Sequence, residues 1–196
     1  MCGFLGYILN KNTWENSQKI SDDLENISKK IKHRGPDDKG FLIDETNKLG
    51  LVFQRLSILD LSKNAMQPMV SKCKNWVIVF NGEIYNYKNL KEKLKKKKKY
   101  WRSNTDSEVA LECISKYGFY NAIKKFNGMF AIAAYCISKK TLWLARDRFG
   151  EKPLYYNYDT TYGFSFASEL RALSYFPNFK KQICQNALSQ YLRYGY

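Results

Sequence analysis

The order in which strand-like and helix-like hydrophobic periods follow one another is the strongest constraint on how this chain folds. An apolar run from Gly3 to Leu9, closed by the turn-forming Asn10-Lys11-Asn12, predicts a buried strand. From about Trp14 to Lys32, Ile20, Leu24, Ile27 and Ile31 recur at steps of four, three and four, which draws one apolar stripe on a helix. His33 to Gly40 is a loop rich in turn residues. Strands are predicted near Gly40 to Ile43, Leu49 to Phe53 and Trp76 to Phe80, with a bend through Arg55 to Ser62 before Ala65-Met66-Gln67-Pro68. Helices follow from Tyr87 to Lys96, after Thr105, and from Phe119 to Lys125. Thr105-Asp106-Ser107-Glu108 reads as a capping box, with Thr105 at the N-cap and Glu108 reaching back. Four further strand-like runs close the pattern: Gly128 to Cys136, Thr141 to Ala145, Leu154 to Tyr158 and Gly163 to Ala167. Short helices are expected near Ser168 to Ser174 and from Asn186. Helices grouped between two sets of strands imply an α+β layered domain rather than a doubly wound parallel sheet.

The totals fit that reading and narrow the chemistry. A chain of 196 residues, 44% hydrophobic and 16% aromatic, builds one substantial core and is not a disordered segment. Its five cysteines, at 2, 73, 113, 136 and 184, are odd in number and widely spaced, against a disulfide framework or a zinc site. The single histidine, His33, limits metal ligation further, and no metal is expected. No basic segment followed by an apolar run opens the chain, so a cytoplasmic, reducing setting is expected, with no membrane span. The net charge of +15 raises nucleic acid as a partner. Much of it, however, lies in Lys91, Lys93 and the run Lys95 to Lys99, which reads better as a solvated helix end than as a nucleic-acid groove.

Four features carry chemistry, and each has a plainer alternative. Cys2 becomes the first residue if Met1 is removed; its own α-amine, with an ordinary pKa just below that of a free thiol, is then a local base. It could equally be an inert buried thiol. Asn81-Gly82, following the apolar Val77 to Phe80, offers a side-chain amide and an unhindered backbone N–H as a pair of oxyanion donors, or is a plain hairpin turn. Arg55 can grip a carboxylate with two parallel hydrogen bonds, or form a surface ion pair. Asp106, at a helix start where a carboxylate is favoured, can pair with an ammonium group, or simply end the helix well. Together they describe a site for an amino acid with an electrophilic side-chain carbonyl, and glutamine meets that description.

Eight segments in order carry a resemblance: MCGFLGY at the start, HRGPDDKG (33–40), QRLSILDLS (54–62), AMQP (65–68), FNGEIYNY (80–87), TDSE (105–108), FNGMFAIAAY (126–135) and ARDRFGEKPLYY (145–156). The chain resembles the glutaminase domain of asparagine synthetase-type class II glutamine amidotransferases, which are N-terminal nucleophile hydrolases. The amidotransferases of purine and glucosamine synthesis are similar at the start and around HRG, but carry a different arginine motif where this chain has RLSILD. The resemblance implies a four-layer α/β/β/α sandwich with two antiparallel sheets. It implies Cys2 as nucleophile with its amine as base, and Asn81 and the Gly82 N–H as oxyanion donors. Arg55 is implied to hold the α-carboxylate of L-glutamine, and Asp106 with Glu83 and the Gly82 backbone the α-ammonium group. The backbone of Leu56 and Ile58 is implied to line the pocket. His33 and Arg34 are expected to act structurally near the site, and Arg146, Asp147 and Arg148 to support the fold or face a partner domain.

The family also sets expectations beyond these residues. Its members continue into a synthetase domain that binds ATP and Mg through an SGGxDS-type loop, and no such loop occurs here. The division expected is a glutaminase domain over 1–184 and the start of a linker over 185–196, with no cofactor in this part. A truncation, a fragment and a separate subunit all fit. The implied partner is a synthetase domain or subunit that accepts ammonia, with asparagine synthesis as the default and a sugar acceptor in polysaccharide synthesis as the rival. A regulatory module inactive without that partner, and a homodimer, also remain open.

Overall fold

Side-chain parity along the strands explains the architecture. In β5 (Trp76–Ile84), Val77 and Val79 point to one face while Ile78, Phe80 and Ile84 point to the other, and both sets are buried. A strand covered on both faces needs apolar residues at both parities, so β1 (Gly3–Leu9) and β5 read as continuous runs rather than alternations. The computed structural model describes residues 2–10, 17–57, 60, 62–95, 100–177 and 179–195.

The remaining elements, in chain order, are α1 (Ser17–Ser28), β2 (Asp38–Asp44), β3 (Leu49–Arg55), β4 (Met69–Val70), α2 (Tyr87–Lys93), α3 (Asp106–Tyr117), α4 (Phe119–Ile123), β6 (Gly128–Cys136), β7 (Thr141–Arg146), β8 (Tyr155–Asp159), β9 (Gly163–Ala167), α5 (Leu170–Leu173) and α6 (Gln185–Tyr194). Two antiparallel sheets form, with strand orders β2-β3-β1-β9-β8 and β4-β5-β6-β7. Three apolar layers hold them. Phe4, Leu51, Phe53, Val79, Ala133 and Phe166 fill the space between the sheets. Leu24, Ile27 and Ile31 pack with Leu5 and Val52 on the outer face of the first sheet. Val109, Leu111 and Ile114 of α3 pack with Ile78, Phe80 and Ile132 on the outer face of the second. This is the expected α/β/β/α sandwich, and β1 is the central strand of its sheet.

Two local expectations need correcting. The stripe through Ile31 is not one α-helix: α1 ends at Ser28 and the chain tightens into 3₁₀ turns over Lys29–Arg34. Ser28 Oγ donates to the Glu25 carbonyl at 2.7 Å, and Gln54 Nε2 donates to the Ser28 carbonyl at 3.3 Å. Side chains thus take over acceptors near the helix end, while Ile31 stays buried. Residues 11–16 of the predicted helix lie outside the described residues.

The second correction concerns Asn81-Gly82, which is not a hairpin turn. Pairing with β6 continues through Asn81↔Ala131 and Gly82↔Phe130 to Ile84↔Gly128. The chain leaves the sheet only afterwards, where the Tyr85 N–H donates to the Asn127 carbonyl at 2.8 Å. A Cβ on Gly82 would sit 2.2 Å from the Met129 carbonyl oxygen, so glycine is present for close strand packing rather than for a turn.

Candidate active site

The site is assembled at one end of the sandwich, where the polar ends of β3 and β5 meet the start of β1. Cys2 immediately precedes the ladder, which begins at Gly3↔Gln54. Its sulfur receives the Leu56 N–H at 3.3 Å and lies 3.5 Å from the Leu56 carbonyl, to which the thiol can donate. Burial pushes the thiol's pKa above its ordinary value, against the opposing pull of the Leu56 N–H and the Arg55 charge. The thiol therefore rests protonated at neutral pH and needs a base to become a nucleophile.

Opposite it, β5 supplies donors of two kinds. The inward side chains run Val77, Val79, Asn81, Glu83, so the apolar stripe between the sheets turns polar at the cavity. Asn81 is buried, and its Nδ2 finds no hydrogen-bond partner among the described residues. An unpaired buried amide is costly, and this one lines the same cavity as Cys2. Backbone direction provides the second donor. Phe80 and Ile84, at the same parity as Gly82, turn their N–H groups away from β6: Phe80 N donates to Gln67 Oε1 at 2.6 Å and Ile84 N to Asp106 Oδ2 at 2.8 Å. The Gly82 N–H between them points the same way, past the end of the two-residue β4, and has no partner among the described residues.

Two charge-bearing side chains line the same cavity. Arg55, at the end of β3, is buried; its guanidinium donates to the Asp60 carbonyl and lines the cavity. Asp106 opens α3, where Thr105 Oγ1 caps the helix by accepting from Glu108 N at 3.4 Å. Glu108 does not reach back to Thr105 as a capping box would. It is fully buried and accepts instead from Ser103 N at 2.8 Å, Ser103 Oγ at 2.8 Å and Arg102 N at 3.0 Å. The segment upstream folds over the helix start and offers those donors first, fixing the turn that carries Asp106.

Burial raises the Asp106 pKa to about 6, despite the Ile84 and Ser107 N–H groups and with Glu83 adding repulsion. The preference expected for a carboxylate at a helix start is thus outweighed by desolvation. A cation entering beside it would restore the charge.

A cavity of about 190 Å³ joins Cys2, Arg55, Leu56, Asn81, Gly82, Glu83 and Asp106, with Glu83 exposed at its edge. All but one of the expected site residues are thus brought together; Ile58 lies outside the described residues. Two further residues escaped the reading of the sequence. Gln67 holds both backbone groups of Phe80, its Nε2 donating to the Phe80 carbonyl at 3.3 Å. Lys152 is buried and lines the cavity. Its loop is tied by Asp147, whose carboxylate accepts from the N–H groups of Phe130, Phe149, Glu151 and Lys152 at 3.0 to 3.2 Å. Arg146 Nε donates to the Lys152 carbonyl at 2.7 Å and Arg148 Nη1 to the Phe126 carbonyl at 3.0 Å. This basic and acidic trio therefore supports the fold; the sequence signal for Gln67 and Lys152 was their place inside the AMQP (65–68) and ARDRFGEKPLYY (145–156) segments. Among the described residues no three His, Cys, Asp or Glu side chains are grouped to hold a metal ion.

Two stacked antiparallel sheets between helical layers, with a cysteine at the head of a central strand, define an N-terminal nucleophile hydrolase architecture. Consistent with it, glutamine phosphoribosylpyrophosphate amidotransferase from B. subtilis superposes with a TM-score of 0.68 at 17% identity, over 89% of this chain and 43% of that one. The chain belongs to the glutamine amidotransferase domain family, whose family model matches residues 1–196. It is 37% identical to a putative asparagine synthetase (glutamine-hydrolyzing) 2 of Methanocaldococcus jannaschii, covering 100% of this chain and 40% of the relative. Asparagine synthetase (glutamine-hydrolyzing) 1 of Bacillus subtilis is also 37% identical, over 100% of this chain and 30% of the relative. The chain spans between 23% and 40% of the length of curated relatives such as these.

Proposed function

We propose that this domain hydrolyses L-glutamine to glutamate and ammonia through a Cys2 thioester. The observation that carries the reading is the buried Asn81 Nδ2, without a partner among the described residues, lining one cavity with the Cys2 thiol, the Arg55 guanidinium and the Asp106 carboxyl group. With Met1 removed, the Cys2 amine takes the thiol proton and the sulfur attacks the side-chain amide carbon. Negative charge then gathers on the amide oxygen, where Asn81 Nδ2 and the Gly82 N–H stabilise it; donors already in place need no reorganisation at that moment. The C–N bond breaks, the leaving nitrogen takes the proton held by the amine and departs as ammonia, and water cleaves the thioester to glutamate. Arg55 binds the α-carboxylate through its planar fork. Asp106 pairs with the α-ammonium group, with Glu83 and the backbone around Gly82 and Leu56 completing the pocket.

The ammonia serves an ATP-dependent amidation in a synthetase partner, and asparagine synthesis is the acceptor reaction favoured by the relatives' names. ATP and Mg belong to that partner, and no cofactor is assigned to this domain. Residues 1–184 form the glutaminase unit and 185–196 lead away from it, a division supported by α6 burying none of its residues. No described helix is long and apolar enough to cross a membrane, which fits a cytoplasmic setting. The test is glutamate release from glutamine by the intact chain: hydrolysis that Cys2→Ala abolishes supports the reading, and hydrolysis unchanged in that variant removes it.

A further inference from the structure

Cys2 sits just outside the β1–β3 ladder, so no strand neighbour fixes its carbonyl. That carbonyl is held by a side chain: Arg34 Nε donates to it at 3.1 Å. Gly3 makes room for this, since a Cβ there would come within 3.0 Å of Arg34 Cδ. Arg34 is in turn anchored from the far end of the chain, where its Nη1 donates to Glu169 Oε1 at 3.0 Å. The same oxygen meets His33 Nε2 at 2.8 Å. The remaining nitrogen, Arg34 Nη2, is buried without a partner among the described residues, so Glu169 is the carboxylate that holds this guanidinium. Ser168, next to Glu169, clasps Phe4, two residues after Cys2: its N–H donates to the Phe4 carbonyl at 2.8 Å, and its Oγ accepts from Phe4 N at 3.0 Å.

We propose that Glu169 is a positioning residue for the Cys2 nucleophile, acting through Arg34 to hold the Cys2 carbonyl. The proposal rests on the thioester chemistry put forward above. Once Met1 is gone, residue 2 is tethered on one side only, and the orientation of its peptide group decides where the sulfur points. Without Glu169 the guanidinium loses its ionic anchor, swings toward water and releases that group. Displacing a reacting atom by about 1 Å costs about 100-fold in rate. Substrate affinity is expected to change little, because the glutamine clamps Arg55 and Asp106 belong to β3 and α3 and the Glu169 carboxylate bonds to His33 and Arg34 rather than to either of them.

The test uses the intact chain and two readouts: steady-state glutamine hydrolysis, and inactivation at Cys2 by a chloroketone analogue of glutamine. Glu169→Gln is expected to lower kcat and the maximal inactivation rate by about 10- to 100-fold, with KM and the half-saturating inhibitor concentration within about threefold. Glu169→Asp, which keeps the charge on a shorter arm, recovers part of the loss; should the Gln variant fail to fold, it is read alone for the same kcat-only defect. In an Arg34→Lys background, Glu169→Gln costs little more, as expected for residues acting as one unit. Wild-type rates in Glu169→Gln, equal losses in kcat and affinity, or additive losses with Arg34→Lys would overturn the positioning role alone. A wild-type chain that neither hydrolyses glutamine nor is labelled at Cys2 would overturn the proposed function itself.

Discussion

Replacing Asp106 by asparagine separates stability from binding and probes the charge logic of the site. The carboxyl titrates at about 6 in the fold against an ordinary 3.8, because burial disfavours its charged form. A tenfold change in proton affinity is about 1.4 kcal/mol, so keeping this group ionised at neutral pH costs the free domain about 3 kcal/mol. Between pH 3.8 and 6 the folded state holds a proton that the unfolded chain has released. Stability from this group is therefore full at the acid end and lost as pH rises through about 6. An asparagine keeps the acceptor for the Ile84 N–H but carries no charge. Asp106→Asn should be more stable than wild type by about 1 to 3 kcal/mol at pH 7.5, several degrees in Tm for a domain of this size, and the difference should shrink as pH falls below 6. The same variant should lose the stabilisation that glutamine confers, measured in a Cys2→Ala background to prevent turnover. Urea or thermal unfolding at pH 7.5 and pH 5, with and without glutamine, reads all of this. A variant destabilised equally at both pH values would refute the account of the strained carboxylate, and retained glutamine binding would refute its pairing with the ammonium group.

Other consequences follow from the same geometry. Asn81→Ala should lower kcat by about 100- to 1,000-fold with little change in KM, and should not destabilise the free protein, since the amide it removes is unpaired; a lost Tm would contradict this. Arg55→Lys keeps the charge but not the fork, so KM for glutamine should rise by about 10-fold or more while kcat changes less, by steady-state kinetics. Asp147→Ala removes the acceptor of four backbone N–H groups and should cost several kcal/mol in urea unfolding. Burial pushes the Asp147 pKa up, but those N–H groups together outweigh it and hold the pKa below its ordinary value, so its contribution is present at neutral pH and is lost as pH falls through the folded pKa. In the Asp147→Asn variant, acid unfolding should accordingly lose part of its pH dependence.

Much of this was legible in residue order, because burial and backbone geometry leave local marks. Continuous apolar runs identified strands covered on both faces, and the Ile20, Leu24, Ile27, Ile31 spacing identified the helix that covers one of them, although not where α-helix gives way to 3₁₀ turns at Ser28. That boundary depends on Gln54, a residue 26 positions away that takes the Ser28 carbonyl. Thr105 was recognisable as a cap from its neighbours, yet the partners of Glu108 depended on how residues 102 and 103 fold back. The dipeptide Asn81-Gly82 shows the limit most clearly. Its local preference is a turn, and only pairing with β6 keeps it extended, turning the Asn81 amide inward and leaving the Gly82 N–H at an open edge. Residue types therefore determined which groups can act as nucleophile, donor and clamp, since that is side-chain chemistry. Whether Asn81 is unpaired, Asp106 is held near pH 6 and Cys2 is tied to Glu169 was decided by tertiary structure alone, because each depends on which distant segment excludes water or supplies a partner.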